Sequence, residues 1–143
     1  MSVDPHNLLA QVHADLVRVI QAASQTPQPF QICYGIRTLA AEEQALATGH
    51  SETLHSRHLP DPNYDSLAMA VDIVCLTNGV PDWTVSDSTG GIYGLAAKQI
   101  LAAAAPLGIP VQWGGQTIGA WIDGVTSNFR DWGHYQLDPA SYA

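Results

Sequence analysis

Three features of this sequence could do chemistry together: a carboxylate–histidine pair near one end, an aspartate inside an apolar run, and a group of histidines ahead of that run. The pair is Asp131-Trp132-Gly133-His134. An Asp-x-x-His spacing can set a metal ligand and a general base a few ångströms apart. Such pairs are common, so this one becomes a site only if the chain supplies further ligands upstream. Asp72 is the first of these. It interrupts Met69-Ala70-Val71-Ile73-Val74-Cys75, and burying a carboxylate is costly unless it is paired, hydrogen-bonded or bound to a metal. The plain reading is an acid facing solvent on an alternating strand, but the run does not alternate cleanly. Of the six histidines, His6 and His13 read as surface residues of a first helix. His50, His55 and His58 precede the Asp72 run, and His50 and His55 read as idle loop side chains. Two histidines and a carboxylate with water in the open position form a catalytic zinc arrangement. The acidified water attacks a carbonyl near neutral pH when a second carboxylate takes its proton. Asp131, beside His134, is placed to be that base.

The elements that must position these residues follow from pattern and punctuation. Asp4-Pro5 ahead of Leu8, Leu9, Val12, Leu16, Val17, Val19 and Ile20 predicts an amphipathic helix with Asp4 as N-cap. Phe30 to Tyr34 reads as a strand, and Thr38 as the cap of a second helix that ends at Gly49. His50 to Ser66 is polar with two prolines, a loop longer than the usual connection. Leu67 to Leu76 is a nearly continuous apolar strand, Asn78-Gly79 a turn, and Val80 to Gly91 irregular. Ile92 to Leu107 is an Ala-rich helix closed by Gly108 and Pro110. Val111 to Trp113 is a strand, Ile118 to Asn128 a loop, and His134 to Leu137 the closing strand. This order predicts an α+β fold with a small, largely antiparallel sheet flanked by helices.

The 143 residues make one domain spanning 1–143, with a normal hydrophobic fraction of 46%. Thirteen acids against five bases give a formal charge of −8, which argues against a nucleic-acid partner. Ile100 to Val111, the longest apolar run, carries two prolines and is too short to cross a membrane. The first residues lack the basic and apolar segments of a secretory signal, so the expectation is a soluble chain made in the cytoplasm. Cys33 and Cys75 lack CxxC spacing and sit in apolar runs, which reads as two reduced core thiols.

Ser56-Arg57-His58, Ala68-Met69-Ala70-Val71-Asp72 and Asp131-Trp132-Gly133-His134 resemble the Ser-x-His, small-x-Ala-x-Asp and acid-x-x-His motifs of zinc D,D-carboxypeptidase-type peptidases. That group includes VanY-like carboxypeptidases, vancomycin-resistance dipeptidases and phage L-alanyl-D-glutamate endopeptidases. Gly35-Ile36-Arg37-Thr38 and Trp113-Gly114-Gly115 are similar to two further motifs of the group. The likeness runs from about Ile32 to Leu137 with the motifs in order. It implies a hedgehog/D,D-peptidase-like zinc fold, with Zn2+ on His58, Asp72 and His134 and with Asp131 as catalytic base. It also implies Arg37 as oxyanion or substrate-carboxylate partner, and Ser56 as a residue that contacts substrate or orients the site.

One departure stands out. The group's motif is His-x-x-Gly-x-Ala-x-Asp, whereas His58 and Asp72 are fourteen positions apart and Ala68 replaces the glycine. Leu59 to Leu67 reads as an insertion that bulges out and returns, which loop-closure entropy permits at small cost.

The resemblance implies a zinc-dependent peptidoglycan peptidase, an L-alanyl-D-glutamate endopeptidase of a phage lysis system. It would be a monomer that reaches the wall through a hole made by a holin. The alternatives are a D,D-carboxypeptidase or dipeptidase acting on D-Ala-D-Ala, and a non-catalytic wall-binding domain of the same fold. Retention of both Asp131 and His134 speaks against the last, because binding alone needs no base.

Overall fold

The computed structural model describes residues 2–37, 44, 47, 57–85, 90–115 and 132–142. Among them are five strands, β1 (Phe30–Tyr34), β2 (Ala70–Thr77), β3 (Val80–Asp82), β4 (Val111–Trp113) and β5 (His134–Leu137), and two α-helices, α1 (Ala14–Ala22) and α2 (Ile92–Leu107). The sheet runs β1-β2-β5-β4, with β3 paired to the far end of β2. Every strand pairing is antiparallel, so the fold is α+β with a small antiparallel sheet, as the order of elements predicts.

β2 is buried on both faces along most of its length, which is why its sequence is apolar nearly throughout and does not alternate. One face of the sheet presents Phe30, Ile32, Val71, Ile73, Cys75, Tyr135 and Leu137 to the helices. Against it, α1 buries Leu16, Val19 and Ile20, and α2 buries Tyr93, Ala96, Ala97, Ile100 and Ala104. That helical spacing lays a stripe of side chains on the sheet, each large apolar one worth about 1.5–3 kcal/mol of burial. Cys75 lies in this core, with its thiol pushed up to about 12 by burial and by the charge of Asp82. Both cysteines are free thiols.

Several boundaries differ from expectation. The helix does not start at Asp4. The Asp4 carboxylate instead accepts from the N–H groups of Leu8 and Leu9, both at 2.8 Å, and caps a 3-10 turn over Leu8–Gln11. Val12 is then extended and pairs with Ala68, and α1 begins after His13, whose Nδ1 accepts from the Asp15 N–H. His13 is thus a cap packed edge-on against Tyr64 and Tyr142, not an idle surface residue. Pairing with another segment overrode local helix propensity here. Val80 to Asp82, expected to be irregular, forms β3, because Asn78 and Gly79 both take positive φ in a hairpin turn that returns the chain onto β2. Of the predicted Thr38–Gly49 helix, only Gln44 and Ala47 are described, and both are helical. The expected loop from Ile118 to Asn128 lies outside the described residues.

Candidate active site

Asp72 and His134 face each other directly across the β2–β5 pairing. Opposed residues of an antiparallel pair project to the same face, so strand register alone brings a carboxylate and an imidazole together on the face opposite the helices. β1 contributes Tyr34 to that face. A register irregularity between Ile32 and Tyr34 puts Tyr34, rather than its neighbour, opposite Asp72.

His58 arrives differently, from outside any strand. Its carbonyl accepts the Arg37 N–H at 2.8 Å, the preceding Arg57 carbonyl accepts the Met69 N–H at 2.8 Å, and its ring Nδ1 donates to the Gly35 carbonyl at 2.7 Å. These bonds seat His58 between the end of β1 and the start of β2. The insertion that follows closes on itself. Asp61 and Leu67 pair across its neck, Asp61 accepts from the Asn63 N–H, and Asp65 and Ser66 turn the chain through positive φ. Arg57 braces the base, lying 3.7 Å from the Asp61 carboxylate and donating to the Tyr142 carbonyl at 2.9 Å. The chain leaves and re-enters at nearly one place, so fourteen positions of separation cost the geometry nothing.

The result is a compact triangle. His58 Nε2 and His134 Nδ1 each lie 3.1 Å from Asp72 Oδ1, and 3.2 Å from one another. Tetrahedral zinc with bonds of about 2.0–2.1 Å separates its ligand atoms by roughly 3.3 Å, so the triangle fits three ligands of one small cation. The far nitrogens are committed elsewhere, His58 Nδ1 to the Gly35 carbonyl and His134 Nε2 to the Gln136 Oε1 at 2.8 Å. This is how metal-binding imidazoles are held. Both histidines are buried, and Asp72 is half-buried.

Burial on its own would raise the Asp72 carboxyl. The electrostatic influence of His58, with hydrogen bonds to His134 and His58, outweighs that and holds it well below the usual carboxylate range. The carboxylate therefore stays ionised and offers a negative oxygen to a cation bound between the two imidazoles.

Two glycines protect the arrangement. A side-chain carbon on Gly133 would stand 2.6 Å from the Ile73 carbonyl oxygen, and one on Gly35 would stand 2.8 Å from that of Leu8. Gly133 lies flat against β2, its carbonyl accepting the Ile73 N–H at 2.9 Å. The Trp113-Gly114 stretch clamps the same corner, with Trp113 Nε1 donating to the Trp132 carbonyl and the Gly114 N–H to the His134 carbonyl, both at 2.8 Å.

Of the residues singled out in the sequence, His58, Asp72 and His134 converge. Arg37 is close by through its neighbours: its guanidinium sits 4.5 Å above the Tyr34 ring, its Nε donates to the Tyr34 hydroxyl, and that ring meets His58 edge-on. Asp131 and Ser56 lie outside the described residues. Sequence reasoning missed Tyr34, Gln136 and Gln112. Gln136 could have been found, since two positions along a strand from His134 it must share that residue's face.

The family model for the phage L-alanyl-D-glutamate peptidase matches residues 1–137. The crystal structure of the Serratia marcescens L-Ala D-Glu endopeptidase ChiX is similar, with 33% sequence identity and a TM-score of 0.74 over 94% of this chain and 86% of that one. Curated proteins yield no match. The chain belongs to the phage L-alanyl-D-glutamate peptidase family.

Proposed function

We propose that this protein is a zinc-dependent L-alanyl-D-glutamate endopeptidase acting on peptidoglycan stem peptides in phage lysis, with His58, Asp72 and His134 as the zinc ligands. The observation that carries this reading is the triangle of His58 Nε2, Asp72 Oδ1 and His134 Nδ1 at 3.1–3.2 Å, in a chain of a peptidase family. Bound zinc would supply Lewis acidity and a water acidified to near-neutral pH. The chain's residues do the rest. Asp131, three positions before His134, takes the proton of the attacking water and returns it to the leaving amine. Arg37 offers a planar fork of donors to the developing oxyanion or to a substrate carboxylate, held over Tyr34 by stacking. Ser56, two positions before His58, orients the substrate.

The chain works as one zinc peptidase domain and as a monomer, and reaches the wall through a membrane hole made by a holin. No described helix is long and apolar enough to cross a membrane.

The test uses purified wild type and Asp131→Ala. Metal analysis is expected to find about one zinc per chain in both. Only wild type should clear a suspension of outer-membrane-permeabilised Gram-negative cells, and mass spectrometry of the released muropeptides should show scission between L-alanine and D-glutamate. Clearing by the variant, activity without metal, or scission at D-Ala-D-Ala would sink the proposal.

A further inference from the structure

Tyr34 borders the ligand triangle and touches Arg37, yet neither contact explains its hydroxyl. The residue stands directly across the β1–β2 pairing from Asp72, and opposed residues of an antiparallel pair rise from the same face. Its ring meets the His58 ring edge-on, with centroids 5.4 Å apart, and carries the Arg37 guanidinium 4.5 Å above it. A ring that only filled space beside His58 would not need an oxygen at its far end.

That oxygen accepts from Arg37 Nε at 3.1 Å. A guanidinium has donors and no acceptor, so the direction of the bond is fixed. A phenol that accepts still has its own hydrogen to give, and no described residue takes it. Linked hydrogen bonds polarise one another, so an oxygen bonded to a cation is a stronger donor. The Nε bond and the stacking also hold ring and guanidinium in one mutual pose. Tyr34 thus offers an oriented, strengthened O–H on the face where Asp72 and His134 stand.

We propose that Tyr34 is a catalytic residue whose hydroxyl, oriented by Arg37, donates a hydrogen bond to the scissile carbonyl oxygen as negative charge develops there. This rests on the peptidase reading of the proposed function. Charge on that oxygen is greatest in the transition state, so the bond is stronger there than in the bound substrate. The hydroxyl keeps its hydrogen throughout, and the attacking water's proton follows its own route.

The experiment is steady-state kinetics on zinc-loaded wild type, Tyr34→Phe, Arg37→Ala and the double variant. The substrate is a soluble stem tetrapeptide that contains the L-alanyl-D-glutamate bond. Tyr34→Phe keeps the ring beside His58 and removes one oxygen, so zinc affinity by chelator competition should stay within about twofold of wild type. Its kcat should fall about 10²–10³-fold, the usual cost of one oxyanion donor, with KM little changed. In the Arg37→Ala background the same substitution should cost a smaller factor, because the hydroxyl has already lost its orienting partner. A Tyr34→Phe enzyme with wild-type kcat, altered only in KM, or depleted of zinc would overturn the inference. Equal costs of Tyr34→Phe in both backgrounds would overturn the part given to Arg37. A wild type that cleaves nothing overturns the proposed function and this inference together, whereas cleavage that is indifferent to Tyr34→Phe overturns this one alone.

Discussion

The two histidines of the triangle reach the same Asp72 oxygen by unlike routes. His134 is carried by strand register, since its position follows from the pairing of β5 with β2, and Gly133 permits that pairing to be close. His58 belongs to no strand and is hung from three hydrogen bonds, through its own carbonyl, the Arg57 carbonyl and its ring Nδ1. A register-held ligand is rigid but is exposed to anything that shifts a whole strand. A loop-held ligand depends on a few local bonds and is indifferent to the length of chain that follows it. The difference explains how an insertion could enter between His58 and Asp72 without separating them.

The largest effect should come from the group both routes share. Asp72→Ala removes the common oxygen, and zinc affinity measured by chelator competition should fall by more than about 100-fold, beyond the loss expected from an outer-shell partner. A smaller drop would mean that the two imidazoles suffice and that the triangle is not the unit.

Acid should act next. Protons compete with metal for the two imidazole nitrogens, so zinc affinity should weaken steadily as the pH is lowered from about 8 to about 5. The Asp72 carboxylate, held well below the usual range, stays ionised throughout that window and adds no step of its own. Affinity that is flat between about pH 8 and 5 would contradict imidazole ligation.

Two alanine substitutions then separate the routes. Gly133→Ala forces a carbon against the Ile73 carbonyl, so β5 must shift from β2. The expected cost is about 1–3 kcal/mol, a fall in Tm of roughly 3–12 °C by calorimetry, with zinc affinity lost alongside. Gly35→Ala presses on the Leu8 carbonyl and displaces the oxygen that orients His58. It should lose more affinity per degree of Tm than Gly133→Ala. Equal ratios would erase the distinction between a register-held and a loop-held ligand.

The smallest effect is expected at the neck of the insertion. Asp61→Ala removes the side chain that accepts from Asn63 and lies near Arg57. It should cost about 1 kcal/mol of stability by denaturant titration, and leave zinc affinity within about twofold. A larger change in affinity would show that the neck, rather than the three bonds above it, seats His58.

How much of this was legible in the sequence follows the same division. Asp72 was legible because a lone acid in an apolar run demands a partner, and His134 because it opens a strand after a carboxylate. His58 was legible only through its resemblance to a motif, since nothing local says which loop histidine returns to the sheet. The start of α1 was misread because its periodicity runs unbroken through Val12, while the pairing of Val12 with Ala68 joins segments far apart in the chain. Gln112 carried no signal at all. Its place beside Gln136 depends on the β4–β5 register, which no local pattern encodes.

The closed neck at Asp61 and Leu67 also makes the protein easy to engineer. The tip between them, Pro62 to Ser66, is tied off from the ligand segment by the Asp61–Leu67 pairing and by Arg57. A foreign peptide or a small binding module spliced into that tip, clear of Tyr64, which packs on His13 and Tyr142, would ride on its own stem. Its added length would be felt mainly as loop entropy, which grows slowly.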